Sequence, residues 1–352
     1  MEGFVKACIL YGIGDLRYEE APTPFPGAGE VLLRVGACGI CGSDIPRIFS
    51  KGTHRFPLIP GHELAGTVET VGAGVDGSWA GRRAAVYPLI PCRRCAACEA
   101  GAYAQCADYD YLGSRCDGGF AELVRVPAWN LLPVPEGMPL QEAAMAEPVA
   151  VALHALRRAR LEAGDTVLIT GAGPIGLLLG QWARIFGAGR ILMTDIDIGR
   201  LRFARSLKFD HLHDAGQGDT AAWVRRKTNG RGADVAVEGT GVSTAFEQCV
   251  LAARTFGRVV LMGNPLGAMT LSQDAYWAVL RKELEVAGTW NSVYAELPRN
   301  EWKLALEHMA DGRIEAGPLI THQTPLDRLR EHLEMVRDKR AFACKVMCVN
   351  HG

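Results

Sequence analysis

The sequence predicts an α/β protein with a β-rich domain and a second domain built on a doubly wound parallel sheet. At 352 residues the chain is longer than one ordinary hydrophobic core supports. Its first 150 residues carry short apolar runs separated by glycine and proline, whereas apolar strands and helices alternate from Asp165 onward. A glycine-rich turn stands at the start of that alternation, between a strand and a helix. These three observations together predict the two domains.

The β-rich domain is predicted from apolar runs that end at turn-forming residues. The predicted strands cover residues 31–35, 66–71, 83–87 and 120–126, and a helical pattern begins near Glu147. After Trp290 the sequence predicts helices near 296–310 and 326–337 and a closing strand at 343–349. We interpret this last segment as a return to the first domain.

The parallel-sheet domain is predicted from a repeated strand-helix pattern. A helix over 174–186 places Ile175, Leu178, Trp182 and Ile185 on one face. The predicted strands are 166–170, 191–194, a weaker one near 211, 233–237, 259–262 and 284–287. The sequence thus predicts this domain at 150–289 and the β-rich domain at 1–149 and 290–352, with a cysteine-rich lobe at about 88–110.

Composition limits the classes of partner. Lys and Arg total 38 and Asp and Glu total 39, so the formal net charge of -1 gives no general attraction to nucleic acid or anionic membranes. The sequence has neither a signal-peptide pattern nor an apolar run long enough to span a bilayer, and we expect a cytoplasmic protein. Eleven cysteines in a reducing compartment call for a role other than disulfides.

The glycine-rich turn is a candidate dinucleotide site. Its glycines would permit a tight turn, close approach of a pyrophosphate and close helix packing. Asp195 follows Gly176 by 19 residues at the end of the next predicted strand, where a carboxylate would accept hydrogen bonds from a ribose and favour NAD over NADP. Asp195 alternatively caps the following helix, and Arg200 either lies over the ribose or accepts a 2′-phosphate. The candidate cofactor residues are Gly171, Gly173, Pro174, Ile175, Gly176, Asp195 and Arg200.

Four cysteines within 15 residues form the clearest metal pattern. Cys92, Cys95, Cys98 and Cys106 have the spacing C-x2-C-x2-C-x7-C. Four thiolates can close a tetrahedral shell around Zn²⁺ without a vacant position, which predicts a structural zinc site. Free thiols and an iron–sulfur cluster are the alternatives.

A second set of metal-ligating residue types is scattered: Cys41, His62, Glu63 and Glu147. Thiolate, imidazole and carboxylate suit an open catalytic zinc site with room for water or an alcohol. Spacing alone does not join these residues, because a single histidine beside a strand is more often structural.

A family resemblance joins them. Gly61-His62-Glu63-Leu64-Ala65-Gly66, continuing to Gly72 and Val75, resembles the zinc signature of the medium-chain alcohol and polyol dehydrogenases. That family also has a four-cysteine lobe and a later G-x-G-x-x-G, in the same order over essentially the whole chain. The resemblance implies a GroES-like catalytic domain, a Rossmann domain inserted before its final segment, two Zn²⁺ per chain, NAD, and a homodimer or homotetramer. It assigns binding of the catalytic zinc to Cys41, His62 and Glu147. Glu63 is then either a fourth ligand or a group that holds the zinc-bound water.

The family chemistry implied here is hydride transfer from a zinc-bound alcohol to nicotinamide. Ser43 stands two residues after Cys41, where the family has a Ser or Thr that takes the hydroxyl proton. Many relatives continue the proton relay through a histidine about three residues further on, but this chain has Pro46. The relay then needs another route, either the cofactor ribose and water or Glu63 with Glu147.

The substrate implied is a small polyol or sugar-alcohol phosphate with a secondary hydroxyl. Residues 41–49 and 109–119 are similar to the galactitol-1-phosphate 5-dehydrogenase branch of the family. A phosphate needs cationic donors, and the candidates are Arg47, Lys51, His54, Arg55 and Arg115, although the loop residues 51, 54 and 55 fit a solvated loop equally well. Trp290 either lines the substrate site or is an aromatic residue that packs within the fold.

Three alternatives remain open. A sorbitol- or xylitol-type polyol dehydrogenase or an L-threonine 3-dehydrogenase would keep the chemistry and change the substrate. A zinc-free quinone reductase would share the fold, although Cys41, His62 and the cysteine lobe argue against it. A zinc-stabilised nucleotide-binding regulator would lack catalysis and would have no need of an open metal site.

Overall fold

The residues up to Glu147, with those from Val293 onward, form unit 1, and Pro148–Ser292 form unit 2. A computed structural model describes residues 3–350. Short apolar runs broken by glycine and proline give unit 1 its strands. The first nine are β1 (Phe4–Gly12), β2 (Asp15–Pro22), β3 (Glu30–Gly39), β4 (Glu63–Val71), β5 (Arg83–Val86), β6 (Leu89–Pro91), β7 (Tyr109–Tyr111), β8 (Leu123–Pro127) and β9 (Leu131–Pro133). Its helices here are short, α1 (Asp44–Pro46), α2 (Ala96–Glu99) and α3 (Leu140–Ala143), and a π-helix spans Arg47–Lys51.

Unit 2 alternates strands and helices, as the sequence predicts. Its strands are β10 (Thr166–Thr170), β11 (Arg190–Asp195), β12 (His211–Asp214), β13 (Ala233–Glu238), β14 (Ala253–Leu261) and β15 (Glu285–Gly288). Its helices are α4 (Ala146–Arg158, beginning at the unit limit), α5 (Pro174–Ile185), α6 (Ile198–Ser206), α7 (Thr220–Lys227), α8 (Ser243–Ala252) and α9 (Gln273–Arg281). Among residues 3–350, no helix combines the length and the apolar character that crossing a membrane requires.

The remainder of the chain belongs to unit 1 and adds two helices and two strands. They are α10 (Glu301–Ala310), β16 (Ile320–Thr324), α11 (Leu329–Asp338) and β17 (Lys345–Val349). β17 runs antiparallel to β3, with Cys348 opposite Cys38. A strand late in the sequence therefore lies beside one of the first strands.

The main sheet of unit 1 has seven strands, in the order β16-β17-β3-β4-β5-β9, with β8 also paired to β3. Two small sheets, β1-β2 and β6-β7, complete the strands of this unit in the described residues. The core contains Leu33, Ile48, Leu64 and Phe120, all almost fully buried. Ile48 lies between β3 and β4 and Phe120 follows β7, so both connecting segments contribute to this core.

The sheet of unit 2 is parallel throughout, in the order β12-β11-β10-β13-β14-β15. Strand order reverses between β10 and β13, and ligands of such sheets bind outside the carboxyl ends of the strands at this switch point. The glycine-rich turn follows β10 and therefore lies at that point. The predicted fold class, a β-rich domain with a doubly wound parallel-sheet domain, is confirmed.

Several predicted element limits were wrong. The helix predicted from 296 begins at Glu301, because Pro298 precedes it and the Asn300 side chain accepts from the N–H groups of Trp302 and Lys303. The strand predicted from 120 begins at Leu123, since the Phe120 N–H donates to the Pro60 carbonyl outside the main sheet. The strand predicted from 259 begins at residue 253, and the helix predicted from 326 begins at 329 after a 3₁₀ turn.

Gly66 on β4 offers a test of how closely β3 and β4 pack. A Cβ at this position would lie 2.1 Å from the Arg34 carbonyl oxygen. We expect Gly66→Ala to lower the free energy of unfolding by about 1–3 kcal/mol, the usual cost of overpacking. Urea unfolding measures this change. Gly77→Ala, whose Cβ would meet no atom within 4 Å, is the matched control. Equal stability of the two variants would contradict the packing described here.

Candidate metal and dinucleotide sites

Three potential metal ligands meet where β3 ends and β4 begins. Cys41 lies two residues after the end of β3, and His62 immediately precedes Glu63, the first residue of β4. Antiparallel pairing sets Gly39 opposite Glu63 and so brings the two segments together. Ligand atoms of Cys41, His62 and Glu63 all lie within 4.8 Å of one another. The fold therefore joins residues that sequence spacing alone leaves apart.

A buried carboxylate lies beside His62. Asp44 is fully buried, and its Oδ1 lies 3.3 Å from His62 Nδ1. Asp44 accepts from the Cys41 N–H at 2.9 Å and from Arg47 at 2.7 Å. This arrangement leaves Nε2 of His62 for a metal, which is the usual division of roles in a carboxylate–histidine–metal group. Burial lowers the pKa of His62, but Asp44 and Cys41 raise it more, so the pKa lies above its ordinary value.

A buried ammonium group holds Glu63. Lys345 Nζ donates to both carboxylate oxygens, at 2.7 and 2.6 Å, and to the Ile40 carbonyl at 3.1 Å. Both residues are almost fully buried. Burial lowers the pKa of Lys345, and the charge of Glu63 more than offsets this and raises it, so the ammonium group stays charged. Gly39 leaves room for the pair, since a Cβ there would lie 2.2 Å from Glu63 Oε2.

Glu147 is not in the group of three ligand atoms within 4.8 Å. It is buried at the start of α4, and its Oε1 accepts from the Tyr111 hydroxyl at 3.4 Å. Burial raises the pKa of Glu147 to about 7. Burial also raises the pKa of Tyr111, as does the nearby Glu147, so the hydroxyl keeps its proton and can donate.

The other residues proposed for chemistry or substrate differ in their surroundings. Ser43 Oγ donates to Cys41 Sγ at 3.3 Å. Arg47 forms an ion pair with Asp44. Arg115 stacks over the Tyr109 ring at 4.2 Å and donates to the main-chain carbonyl of Tyr109. Trp290 lies in unit 2, just after β15, with 54% of its surface exposed. The two arginines predicted to bind substrate are therefore engaged by neighbours in unit 1.

The four cysteines of the lobe converge. Their four Sγ atoms lie within 4.8 Å of one another, with Cys92 to Cys98 at 4.0 Å and Cys95 to Cys106 at 3.9 Å. Zn–S bonds of about 2.3 Å in a tetrahedron imply S–S separations of roughly 3.8 Å. Backbone N–H groups of Ala107 and Cys98 lower the pKa of Cys95 to about 6, which favours the thiolate that a metal requires. The donor set and its spacing fit a structural Zn²⁺.

The glycine-rich turn of unit 2 has the geometry of a pyrophosphate loop. Gly171 adopts a φ of +96°, and a Cβ on Gly176 would lie 1.9 Å from the Gly171 carbonyl oxygen. A Cβ on Gly173 would meet only Arg200, at 4.0 Å, so the backbone there is open to a ligand. Pro174 begins α5 and is followed by Ile175, so backbone N–H groups at the helix start face this opening.

Asp195 ends β11 beside this turn. Its Oδ2 accepts from the Ala172 N–H at 2.8 Å and its Oδ1 from the Asp197 N–H at 2.9 Å. Arg200 Nη1 is 3.6 Å from Oδ2. The helix that follows is capped by Asp197, whose side chain accepts from the N–H groups of Gly199 and Arg200, so capping is not the role of Asp195.

Sequence reasoning missed three residues of the metal site. Asp44 stands within the Cys-Gly-Ser-Asp run, and a carboxylate three residues after a candidate ligand was a usable signal. Tyr111 lies in the quoted 109–119 segment, but nothing in that segment linked it to Glu147. Lys345 is 282 residues from Glu63 and carries no local signal at all.

Comparison with known proteins agrees with this geometry. The family model for the alcohol dehydrogenase GroES-like domain matches residues 27–136. The model for zinc-binding dehydrogenases matches residues 174–311. The first match contains Cys41, His62 and the four-cysteine lobe, and the second begins at Pro174 in the glycine-rich turn.

Similar proteins cover nearly the whole chain. Galactitol 1-phosphate 5-dehydrogenase of Escherichia coli (strain K12) is 34% identical over 96% of this chain and 97% of its own. Sorbitol dehydrogenase of Bacillus subtilis (strain 168) is 31% identical over 97% and 96%. The crystal structure of galactitol-1-phosphate dehydrogenase from Escherichia coli has a TM-score of 0.92 at 32% identity, covering 98% of this chain and 100% of that one. The chain therefore belongs to the zinc-dependent medium-chain alcohol and polyol dehydrogenases, a family of oxidoreductases.

Proposed function

We propose that this dehydrogenase oxidises a secondary hydroxyl group of a polyol or sugar-alcohol phosphate to the ketone, with NAD as hydride acceptor and galactitol 1-phosphate as the best candidate substrate. The proposal assigns catalysis to residues 1–149 and 290–352 and cofactor binding to residues 150–289. The observation that carries it is the thiol, imidazole and carboxylate of Cys41, His62 and Glu63 within 4.8 Å of one another.

The candidate metal ligands are Cys41 and His62, with Glu63 and Glu147 as the available carboxylates. When bound there, Zn²⁺ supplies Lewis-acid activation of a hydroxyl group. Asp44 orients His62, Lys345 holds Glu63, and Tyr111 holds Glu147. Ser43 Oγ takes the hydroxyl proton, and its position beside Cys41 Sγ supports this role. Pro46 has no titratable side chain, so the proton leaves Ser43 by a route other than residue 46.

NAD is the proposed cofactor because of Asp195. A ribose with free 2′- and 3′-hydroxyls can donate to this carboxylate, whereas a 2′-phosphate would meet its negative charge. Arg200 is already 3.6 Å from Asp195, which reduces its capacity to attract a 2′-phosphate. Gly171, Gly173 and Gly176 supply the turn that receives the pyrophosphate.

A phosphorylated substrate is supported by the similar galactitol 1-phosphate 5-dehydrogenase and by two basic side chains in the segment that follows α1, Lys51 and His54. Lys51 and His54 are exposed, and neither side chain has an ion pair or hydrogen bond within residues 3–350. Arg47 and Arg115 are engaged by Asp44 and Tyr109, and Arg55 by Asp117. Lys51 and His54 are therefore the basic side chains of this region that remain open to a phosphate. An unphosphorylated polyol such as sorbitol is the second candidate, supported by the similar sorbitol dehydrogenase.

A second copy of the chain is the proposed partner. β15 is an edge strand of its sheet, and edge strands are usually covered or paired. Tyr276, Trp277 and Leu280 on α9 and Val286 on β15 are all exposed by 40% or more. Exposed apolar side chains on α9 and β15, together with an open strand edge, suit a homodimer or homotetramer. A single-chain mass by analytical ultracentrifugation would rule this assembly out.

The activity is tested by a substrate panel with NAD on zinc-replete protein. We expect turnover on galactitol 1-phosphate to exceed that on sorbitol, xylitol and threonine. Cys41→Ser should lower kcat at least 100-fold and leave the Kd for NAD unchanged, because unit 2 does not contain Cys41. Equal or better turnover on threonine would reject the sugar-alcohol substrate, and an undiminished kcat in Cys41→Ser would reject the metal site.

Cofactor choice is tested at Asp195. Asp195→Asn removes the charge and keeps the shape, so we expect the ratio of Kd for NADP to Kd for NAD to fall roughly tenfold, as relief of a like-charge contact predicts. Asp197→Asn, which removes an exposed carboxylate two residues away, is the control and should leave the ratio unchanged. A ratio that does not move in Asp195→Asn would remove Asp195 from cofactor selection.

Phosphate recognition is tested with the double variant Lys51→Ala/His54→Ala. Loss of two hydrogen-bond donors to the phosphate should raise KM for galactitol 1-phosphate about tenfold or more. KM for sorbitol should not change, because sorbitol has no phosphate. Lys227→Ala, at an exposed lysine of unit 2, controls for the loss of surface charge. A parallel rise in both KM values would point to a structural loop without a role in phosphate binding.

A further inference from the structure

The histidine and the two carboxylates proposed as metal ligands each have a buried or half-buried neighbour that orients them. Asp44 pairs with His62, and Lys345 pairs with Glu63. For Glu147 the neighbour is Tyr111, whose hydroxyl donates to Oε1 at 3.4 Å. The Tyr111 ring also lies beside His62, with ring centroids 5.7 Å apart at 59°. Tyr111 is therefore in contact with two of the four candidate ligands.

Tyr111 belongs to the hairpin that carries the four-cysteine lobe. It is the last residue of β7 and lies opposite Leu89 of β6. Cys92 directly follows β6, and Cys106 lies three residues before β7. A hydrogen bond links the two cysteines across the base of the lobe, where the Cys92 N–H donates to Cys106 Sγ at 3.2 Å. Any closure of the four thiols around a metal therefore fixes both strands of this hairpin.

The chain after Tyr111 packs against the backbone that presents His62. A Cβ on Gly113 would lie 2.6 Å from the Gly61 nitrogen, and one on Gly118 would lie 2.1 Å from the Gly61 carbonyl oxygen. The Gly119 N–H donates to that same oxygen at 2.8 Å. Such close approach leaves no room for independent movement of this segment and Gly61. The hairpin and the segment after it thus meet the metal site at His62 as well as at Glu147.

We propose that Tyr111 is a positioning residue for the candidate catalytic metal site, and that the four-cysteine lobe sets its position through the β6-β7 hairpin. The proposal rests on the proposed function, because it needs a metal held near Cys41 and His62. The hydroxyl of Tyr111 orients the Glu147 carboxylate, and its ring fixes the plane of the His62 imidazole. Partners of metal ligands commonly change metal affinity 10–100-fold when they are removed. The lobe then contributes to the affinity of the second site as well as to stability.

The test measures Zn²⁺ affinity of the full chain by competition with a chelator, independently of turnover. Cys41→Ser identifies the ion of the candidate catalytic site, and Cys95→Ser that of the lobe. Tyr111→Phe keeps the ring and removes the hydroxyl, and we expect about a tenfold weaker affinity at the catalytic site with no change at the lobe. Tyr109→Phe, in the same hairpin and with no hydrogen bond from its hydroxyl among residues 3–350, should change neither affinity.

A double-mutant cycle tests the part played by the lobe. Cys95→Ser should weaken Zn²⁺ binding at the catalytic site, and it should have no further effect in a Tyr111→Leu background, because Tyr111 carries the coupling. Should Cys95→Ser fail to fold, Pro91→Gly loosens the hairpin and keeps all four cysteines. Additive effects of the lobe variant and Tyr111→Leu would overturn the coupling.

The outcomes separate this proposal from the proposed function. Two ions bound with full affinity in Cys41→Ser would reject the catalytic metal site, and the role of Tyr111 with it. Loss of one ion in Cys41→Ser, together with wild-type affinity at both sites in Tyr111→Phe, would reject the positioning role alone.

Discussion

Two buried contacts hold the candidate metal site together, that of His62 with Asp44 and the ion pair of Glu63 with Lys345. Charges so thoroughly removed from water are tolerated only when they are paired and hydrogen-bonded, and removing one member of such a pair typically costs about 3–5 kcal/mol. The main-chain carbonyl of Ile40 and the N–H of Cys41 complete the pairing. The site is thus ordered by its own side chains before any ion is considered, and its ligands lie where β3 ends and β4 begins.

The shape of the glycine-rich turn at the dinucleotide site is determined more by steric limits than by charge. Gly171 has a positive φ and Gly176 has no space for a side chain. The turn therefore requires glycine, which has no Cβ, at both positions. Asp195 then ties the turn to the end of β11 through the Ala172 N–H. The same carboxylate that is proposed to select the cofactor also holds the loop that would receive it.

How much the sequence could predict depended on whether the information was local. The glycine turn, the four cysteines and the strand-helix alternation are local patterns, and the fold class follows from them. Cys41 and His62 could be joined only through a family resemblance, because β3–β4 pairing brings them together. Glu147 was expected among the ligands, but its oxygens lie outside the close group, next to Tyr111. The role of Lys345 could not be predicted from the sequence. A lysine in an apolar strand has no local signal of function, and its role follows only from its contact with Glu63 in the folded structure.

The position of Lys345 has a consequence for how the protein is made. Cys41, His62 and Glu63 leave the ribosome early, whereas their supporting ammonium group is translated only after the whole of unit 2. Until β17 pairs with β3, the carboxylate of Glu63 lacks its counter-ion and residues 37–39 of β3 lack their partner strand. Unit 2 is continuous in sequence and can fold during translation, as domains generally do. Completion of the candidate metal site therefore follows synthesis of unit 2, and a nascent chain in which unit 2 has already folded still has an incomplete unit 1.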